Sequence, residues 1–120
     1  MKYDDNMDKE CIALCNAINK IPGLRTIESC CGHGEREYRI WFVVEFPQFF
    51  PILLYYIDPC HVGFRWPVTV QTDCAMSPMT YCLQSIDKGK VAYKQAKIIT
   101  TEINKFIKTE LQRFKKERIL

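Results

Sequence analysis

Residues 28–34 concentrate more titratable chemistry than any other stretch of the chain. In order they are Glu28, Ser29, Cys30, Cys31, Gly32, His33 and Gly34. Their thiols, imidazole, hydroxyl and carboxylate can bind a ligand, move protons or hold a metal ion. The apolar stretches 24–27 and 38–46 on either side favour two strands, and loops held by a rigid scaffold often carry function. The sequence therefore predicts a candidate site in this loop.

The two glycines of this loop favour ligand binding. Gly32 and Gly34 allow backbone N–H groups to face a ligand and to form an anion-binding concavity. His33 and Arg65 would add charge, and an aromatic ring could stack on a base. We therefore expect the loop to bind a nucleotide or a modified nucleobase without catalysis. The predicted ligand-binding residues are Ser29, Cys30, Cys31, Gly32, His33, Gly34, His61 and Arg65.

Other chemistries remain open for the same region. A tetrahedral zinc site would form if two Cys/His segments converge. That set would be Cys30, His33, Cys60 and His61. A Cys–His pair could also act as a covalent catalyst, with Glu28 or Asp58 orienting the imidazole. The plain structural interpretation is a tight turn with one buried thiol, because free cysteine is often buried. Apolar spacing places Cys11, Cys15 and Cys82 in the core.

The pattern of apolar residues predicts three helices and four strands. The expected helices cover 8–21, 48–57 and 87–118, and the expected strands 24–28, 38–46, 64–71 and 79–83. Asp8 is expected to cap the first helix. The element order α-β-β-α-β-β-α predicts a single α+β domain over 1–120, with helices packed on a four-stranded mixed sheet.

Connection lengths predict which segments meet. The 48–57 helix can carry the chain back, so the third strand should run parallel to the second. That direction would bring residues 58–61 and the start of the last helix to the same end of the sheet as the loop. Pro67 cannot donate to a ladder and predicts a sheet edge or a bulge. The Cys74 turn is expected at the opposite end.

The positive charge of the chain is concentrated near its C-terminus. Residues 1–86 hold seven Lys/Arg and ten Asp/Glu, whereas 87–120 hold ten and four. A basic helix can attract RNA or a phosphorylated ligand, or can be a solvated face. Seven cysteines, an odd number, indicate thiols or metal ligands rather than a disulfide framework. Without a secretory or membrane-spanning segment, we expect a cytoplasmic protein and no membrane partner.

One further pattern resembles a known family. Residues 14–19, Leu-Cys-Asn-Ala-Ile-Asn, are followed by Thr26 and by 29–33, Ser-Cys-Cys-Gly-His. This succession resembles the wybutosine-synthesising methyltransferase family, whose members carry a Ser-Ser-Cys-Ser-Gly-Arg loop after a similar helix and strand. Residues 63–65, Gly-Phe-Arg, resemble that family's entry to a later strand. Glu28 and Cys31 replace serines of the family loop, and His33 replaces its arginine.

The resemblance implies a second function class. Members of the family methylate a modified guanine in transfer RNA with S-adenosylmethionine, so RNA and that cofactor become the expected partner and cofactor. A zinc-stabilised Cys/His domain is a third class, with zinc as the bound ion. The sequence leaves open whether the protein is an enzyme, and it does not predict an oligomeric state.

Overall fold

Apolar residues recur every three or four positions in the long helices and at alternate positions in the strands, and the chain folds accordingly. A computed structural model describes residues 8–71 and 79–113. Its elements are α1 (Lys9–Asn19), β1 (Leu24–Cys30), β2 (Glu37–Val44), α2 (Phe50–Tyr56), α3 (Pro59–Val62), β3 (Val68–Val70), β4 (Thr80–Lys88) and α4 (Gly89–Phe106). A 3₁₀ turn spans Gly32–Gly34, and a π-helical turn, Ile107–Leu111, extends α4. The predicted single α+β domain is confirmed in fold class.

The four strands form one sheet in the order β1-β2-β4-β3. All three pairings are antiparallel, so the expected mixed sheet is wrong. β3 does run in the same direction as β2, as predicted, but β4 lies between them and pairs with both. β3 is an edge strand, which agrees with Pro67 because an edge tolerates a missing donor. The predicted turn at Cys74 lies outside the described residues.

The core forms where α1 and α4 cover one face of the sheet. Each helix contributes an apolar stripe, and alternate residues of β2 meet it. The largest fully buried side chains include Leu14, Ile18, Ile40, Phe42, Ile99 and Ile103. Cys11, Cys15 and Cys82 are buried, as their spacing predicted. In the described part of the chain, no helix is long and apolar enough to cross a membrane.

Several strands begin or end at residues other than those predicted from the sequence. β1 continues through Cys30, so Ser29 and Cys30 belong to a strand rather than to the loop. Residues 64–67 are not a strand, because Trp66 turns inward there. Its ring lies 5.1 Å from that of Tyr38, and its indole N–H donates to Gln95 Oε1 at 2.8 Å. A buried indole needs such an acceptor, and this one fixes the segment against α4.

Candidate functional site

The loop between β1 and β2 is a left-handed turn. Gly32, His33 and Gly34 have φ values of 80°, 53° and 82°. Glycine adopts such values freely, whereas a residue with a Cβ pays steric strain of order 1–2 kcal/mol. At Gly32 a Cβ would also lie 2.8 Å from the Glu37 carbonyl oxygen. The two glycines therefore permit a turn that holds His33 over the preceding cysteine.

Cys31 sits at the centre of this loop with 2% of its surface exposed. Its sulfur accepts a hydrogen bond from the His33 backbone N–H at 3.4 Å and is hydrogen-bonded with the Tyr93 side chain on α4. Burial raises the pKa of the Cys31 thiol, and these hydrogen bonds partly oppose the increase. The hydrogen bond with Cys31 raises the pKa of Tyr93 to about 12.

Asp8 completes the cluster from a distant part of the sequence. Its carboxylate makes no side-chain cap for α1, contrary to the sequence prediction. Instead its Oδ2 accepts a hydrogen bond from the Cys31 N–H at 2.9 Å. The imidazole of His33 bridges the two groups, with Nδ1 3.8 Å from Cys31 Sγ and Nε2 3.9 Å from Asp8 Oδ2. The donor atoms of Asp8, Cys31 and His33 all lie within 4.8 Å of one another.

The backbone donors of the loop are directed inward. The N–H groups of Cys31 and His33 bond to Asp8 and Cys31, and that of Gly32 donates to Cys30 Sγ at 3.4 Å. The predicted concavity of outward N–H groups is therefore wrong for these three. The Ser29 side chain lies near the core thiols of Cys11 and Cys15, and hydrogen bonding to it partly opposes the rise that burial causes in their pKa.

Cys60 and His61 do not join the loop. His61 packs its ring 4.5 Å from that of Tyr55, and its Nε2 lies 3.9 Å from Glu102, a residue in the last third of α4. The loop instead meets the first residue of α4, since a Cβ on Gly89 would lie 3.7 Å from the Gly34 carbonyl oxygen. At the helical rise the two places are roughly 20 Å apart.

The sequence offered a zinc set only if the two Cys/His segments converge, and in the described residues Cys60 and His61 do not join Cys30 and His33. The α2–α3 segment packs on α4. The start of β3 therefore lies at the same end of the sheet as the β1–β2 loop but away from the loop cluster. Arg65 is exposed beside the buried Trp66, on the same segment. Among residues 8–71 and 79–113, Asp8, Cys31 and His33 form the one group of three possible metal ligands.

A second feature is the outer side of α4, which we call the lysine face. It comprises Lys90, Lys94, Lys97 and Lys105 together with Thr101, all exposed. Their spacing of three and four places them on one side of the helix, opposite the buried Ala92, Ala96, Ile99 and Ile103. Lys105 lies 4.0 Å from Glu102. The other three lysines form no ion pair with any residue in the described ranges.

The sequence missed two members of the loop cluster. Asp8 and Tyr93 are separated from Cys31 by an element or more, and no local spacing connects them. The sequence shows only that both side chains are polar, and a tertiary contact brings them to Cys31. Comparison with protein-family models, with curated proteins and with solved structures gives no match for this chain.

Proposed function

We propose that this protein binds RNA through the phosphate backbone, along the lysine face of α4. The observation that supports the proposal most is the row of four lysines on one side of the helix, three of them without an ion-pair partner in the described residues. From Lys90 to Lys105 the row spans about 22 Å at the helical rise. A row of this kind attracts a polyanion, because each phosphate that it neutralises releases bound counterions.

The position of the helix favours a nucleic acid over a membrane. Its apolar stripe is buried against the sheet, so no apolar face is left to enter a bilayer. A shallow hollow of about 250 Å³ interrupts the lysine face and is lined by Lys97, Ile98, Thr101 and Glu102. Ile98 is 43% exposed, and it offers an apolar surface to an unpaired base. These features support a single strand rather than a duplex.

The lysine face leads to the loop. Lys90 follows Gly89, which contacts Gly34 of the 3₁₀ turn. An RNA strand laid along α4 would thus bring one nucleotide to residues 29–34. The sequence predicts nucleobase binding for this loop. The choice of RNA, and of S-adenosylmethionine as a cofactor to test, follows the resemblance to the wybutosine-synthesising family.

The test is a binding titration with an unstructured 20-nucleotide RNA, followed by fluorescence anisotropy at several salt concentrations. Each phosphate contact on a single strand contributes about −0.7 to the slope of log K against log salt, so four contacts predict about −2.8. Replacing Lys94 and Lys97 together with Gln should weaken binding and bring the slope to about −1.4. A single strand of DNA with the same sequence tests the preference for RNA.

Arg25→Gln provides the matched control. This change removes one positive charge from β1, where Arg25 pairs with Glu45 at 3.6 Å, and leaves the lysine face intact. It should leave the slope unchanged. If R25Q weakens binding as much as Lys94→Gln alone, net charge rather than the lysine face governs the affinity, and the proposal fails. Binding to anionic vesicles but not to RNA would also contradict it.

A further inference from the structure

We propose that Asp8, Cys31 and His33 bind a single Zn²⁺ ion. The proposal is independent of RNA binding, since it rests on the loop cluster and not on the lysine face. The three residues offer one carboxylate oxygen, one sulfur and one imidazole nitrogen, which are the ligand types that zinc accepts. Calcium and magnesium prefer oxygen ligands alone, so the sulfur and nitrogen favour a transition metal.

The donor atoms lie near enough for an ion to draw them together. Tetrahedral zinc lies about 2.3 Å from sulfur and about 2.0 Å from nitrogen and oxygen, so its ligand atoms are about 3.3–3.5 Å apart. The observed separations are 3.8 Å between Cys31 Sγ and His33 Nδ1 and 3.9 Å between His33 Nε2 and Asp8 Oδ2. An ion takes only one of the two imidazole nitrogens, and one nitrogen, the sulfur and one carboxylate oxygen lie within 4.8 Å of one another. Binding would draw these three atoms together by up to about 1.5 Å.

The surroundings of the sulfur support a metal-bound thiolate. The His33 N–H donates to Sγ at 3.4 Å, as outer-shell donors do around metal ligands. The Cys31 N–H holds the Asp8 carboxylate beside it. With the thiol ionised, Asp8 and Cys31 would bring two negative charges together, which a divalent cation neutralises. Binding the ion releases the thiol proton to the solvent.

The alternative for the same residues is a thiol nucleophile with a His–Asp pair. A nucleophilic cysteine needs an accessible thiolate, whereas Cys31 is 2% exposed. The His33 side chain, in contrast, is 62% exposed. An ion can therefore reach the cluster from the imidazole side, and three protein ligands leave the fourth zinc position for water or for a ligand.

The test uses the full-length reduced, metal-free chain titrated with Co²⁺, which reports thiolate ligation through a sulfur-to-cobalt charge-transfer absorption. Zn²⁺ should then displace the cobalt with 1:1 stoichiometry and raise the melting temperature. Three variants are compared: Cys30→Ser, Cys31→Ser and His33→Gly. Glycine at 33 keeps the left-handed backbone without strain, so H33G removes the imidazole while the loop stays folded.

We expect C30S, the neighbouring cysteine outside the donor set, to keep the band and the wild-type affinity. C31S should lose the band, and H33G should bind at least about 100-fold more weakly, beyond the loss typical of outer-shell changes. If C31S fails to fold, the comparison of H33G with C30S still decides. Any of three results overturns the proposal. The first is an absent band in the wild type, and the second is an H33G affinity equal to that of the wild type. The third is a band that persists in C31S and disappears in Cys60→Ser.

Discussion

At the scale of single residues, the thiols of this protein serve two different roles. Cys11 and Cys15 on α1 are fully buried and share hydrogen bonds with the Ser29 side chain, so they are part of the core. Cys31 is buried in the same core cluster, but its sulfur also lies near an imidazole and a carboxylate, which could ligate an ion with it. The thiols of α1 therefore contribute to stability, whereas the thiol of the loop also belongs to the candidate site.

The buried thiols predict how stability depends on pH. Burial raises the pKa of Cys11 to about 12 and that of Cys15 to about 11, whereas an unfolded thiol titrates near about 8.5. Above that pH the unfolded chain loses protons that the folded chain keeps, so alkaline conditions favour unfolding. The contribution is complete below about pH 8.5 and is lost as pH rises through the folded values, with a slope of up to about 1.4 kcal/mol per pH unit for each thiol.

Urea unfolding at a series of pH values from 7 to 10 measures this effect. Cys15→Ala should be less stable than the wild type at pH 7 and should lose stability less steeply above about pH 8.5. Cys60→Ala removes an exposed thiol and keeps both buried ones, so it should follow the wild-type curve. Identical slopes for C15A and the wild type would show that the Cys15 thiol does not contribute to the alkaline loss.

At the scale of elements, α4 organises the molecule. Its first residue contacts the loop, its middle receives Trp66, and its later turns meet His61 and the α2–α3 segment. Gln95 makes the middle contact: its side chain accepts the Trp66 N–H at 2.8 Å and donates to Asp87 at 2.9 Å. One amide thus fastens the irregular segment before β3 to the helix and to the end of β4.

Gln95→Ala tests this contact. The change leaves the indole N–H of Trp66, which is 1% exposed, without its acceptor, and a buried unsatisfied donor costs about 1–3 kcal/mol. The free energy of unfolding in urea should fall by that amount. Lys94→Ala, an exposed change on the same helix, removes two like-charge repulsions and should not lower the free energy of unfolding. A Q95A variant as stable as the K94A control would mean that Trp66 finds another partner.

The same elements show what could be predicted from the sequence. Periodicity alone located α1, β2 and α4, because the burial of Leu14, Ile40 and Ile103 depends on local spacing. The place of β4 between β2 and β3 depends on which strands pair across the sheet, and no local pattern records that choice. The members of the site could not all be predicted, for the same reason. Cys31 and His33 are close in sequence, whereas Asp8 joins them through a tertiary hydrogen bond, and α3 places His61 elsewhere.

At the scale of the whole molecule, the clustering of positive charge on α4 lowers the stability of the helix. Lys90, Lys94 and Lys97 repel one another at spacings of four and three residues, and like charges at these spacings destabilise a helix by about 0.2–0.5 kcal/mol per pair. Within 89–106, Glu102 is the one acidic residue of α4. A face that served solubility alone could mix both signs without loss. A polyanionic partner, such as the proposed RNA, would account for the uniform sign.

Lys94→Glu separates the two explanations in a single variant. It replaces two repulsions with two attractions, toward Lys90 and Lys97, so the chain should become more stable by about 0.8–2 kcal/mol at low salt. The same change should weaken RNA binding, because a phosphate contact is replaced by repulsion. Melting curves at low and high salt, with anisotropy on the same samples, measure both. A variant that gains stability and binds RNA like the wild type would indicate a solvated face, whereas opposite changes in stability and affinity would show that the row of lysines is kept for binding.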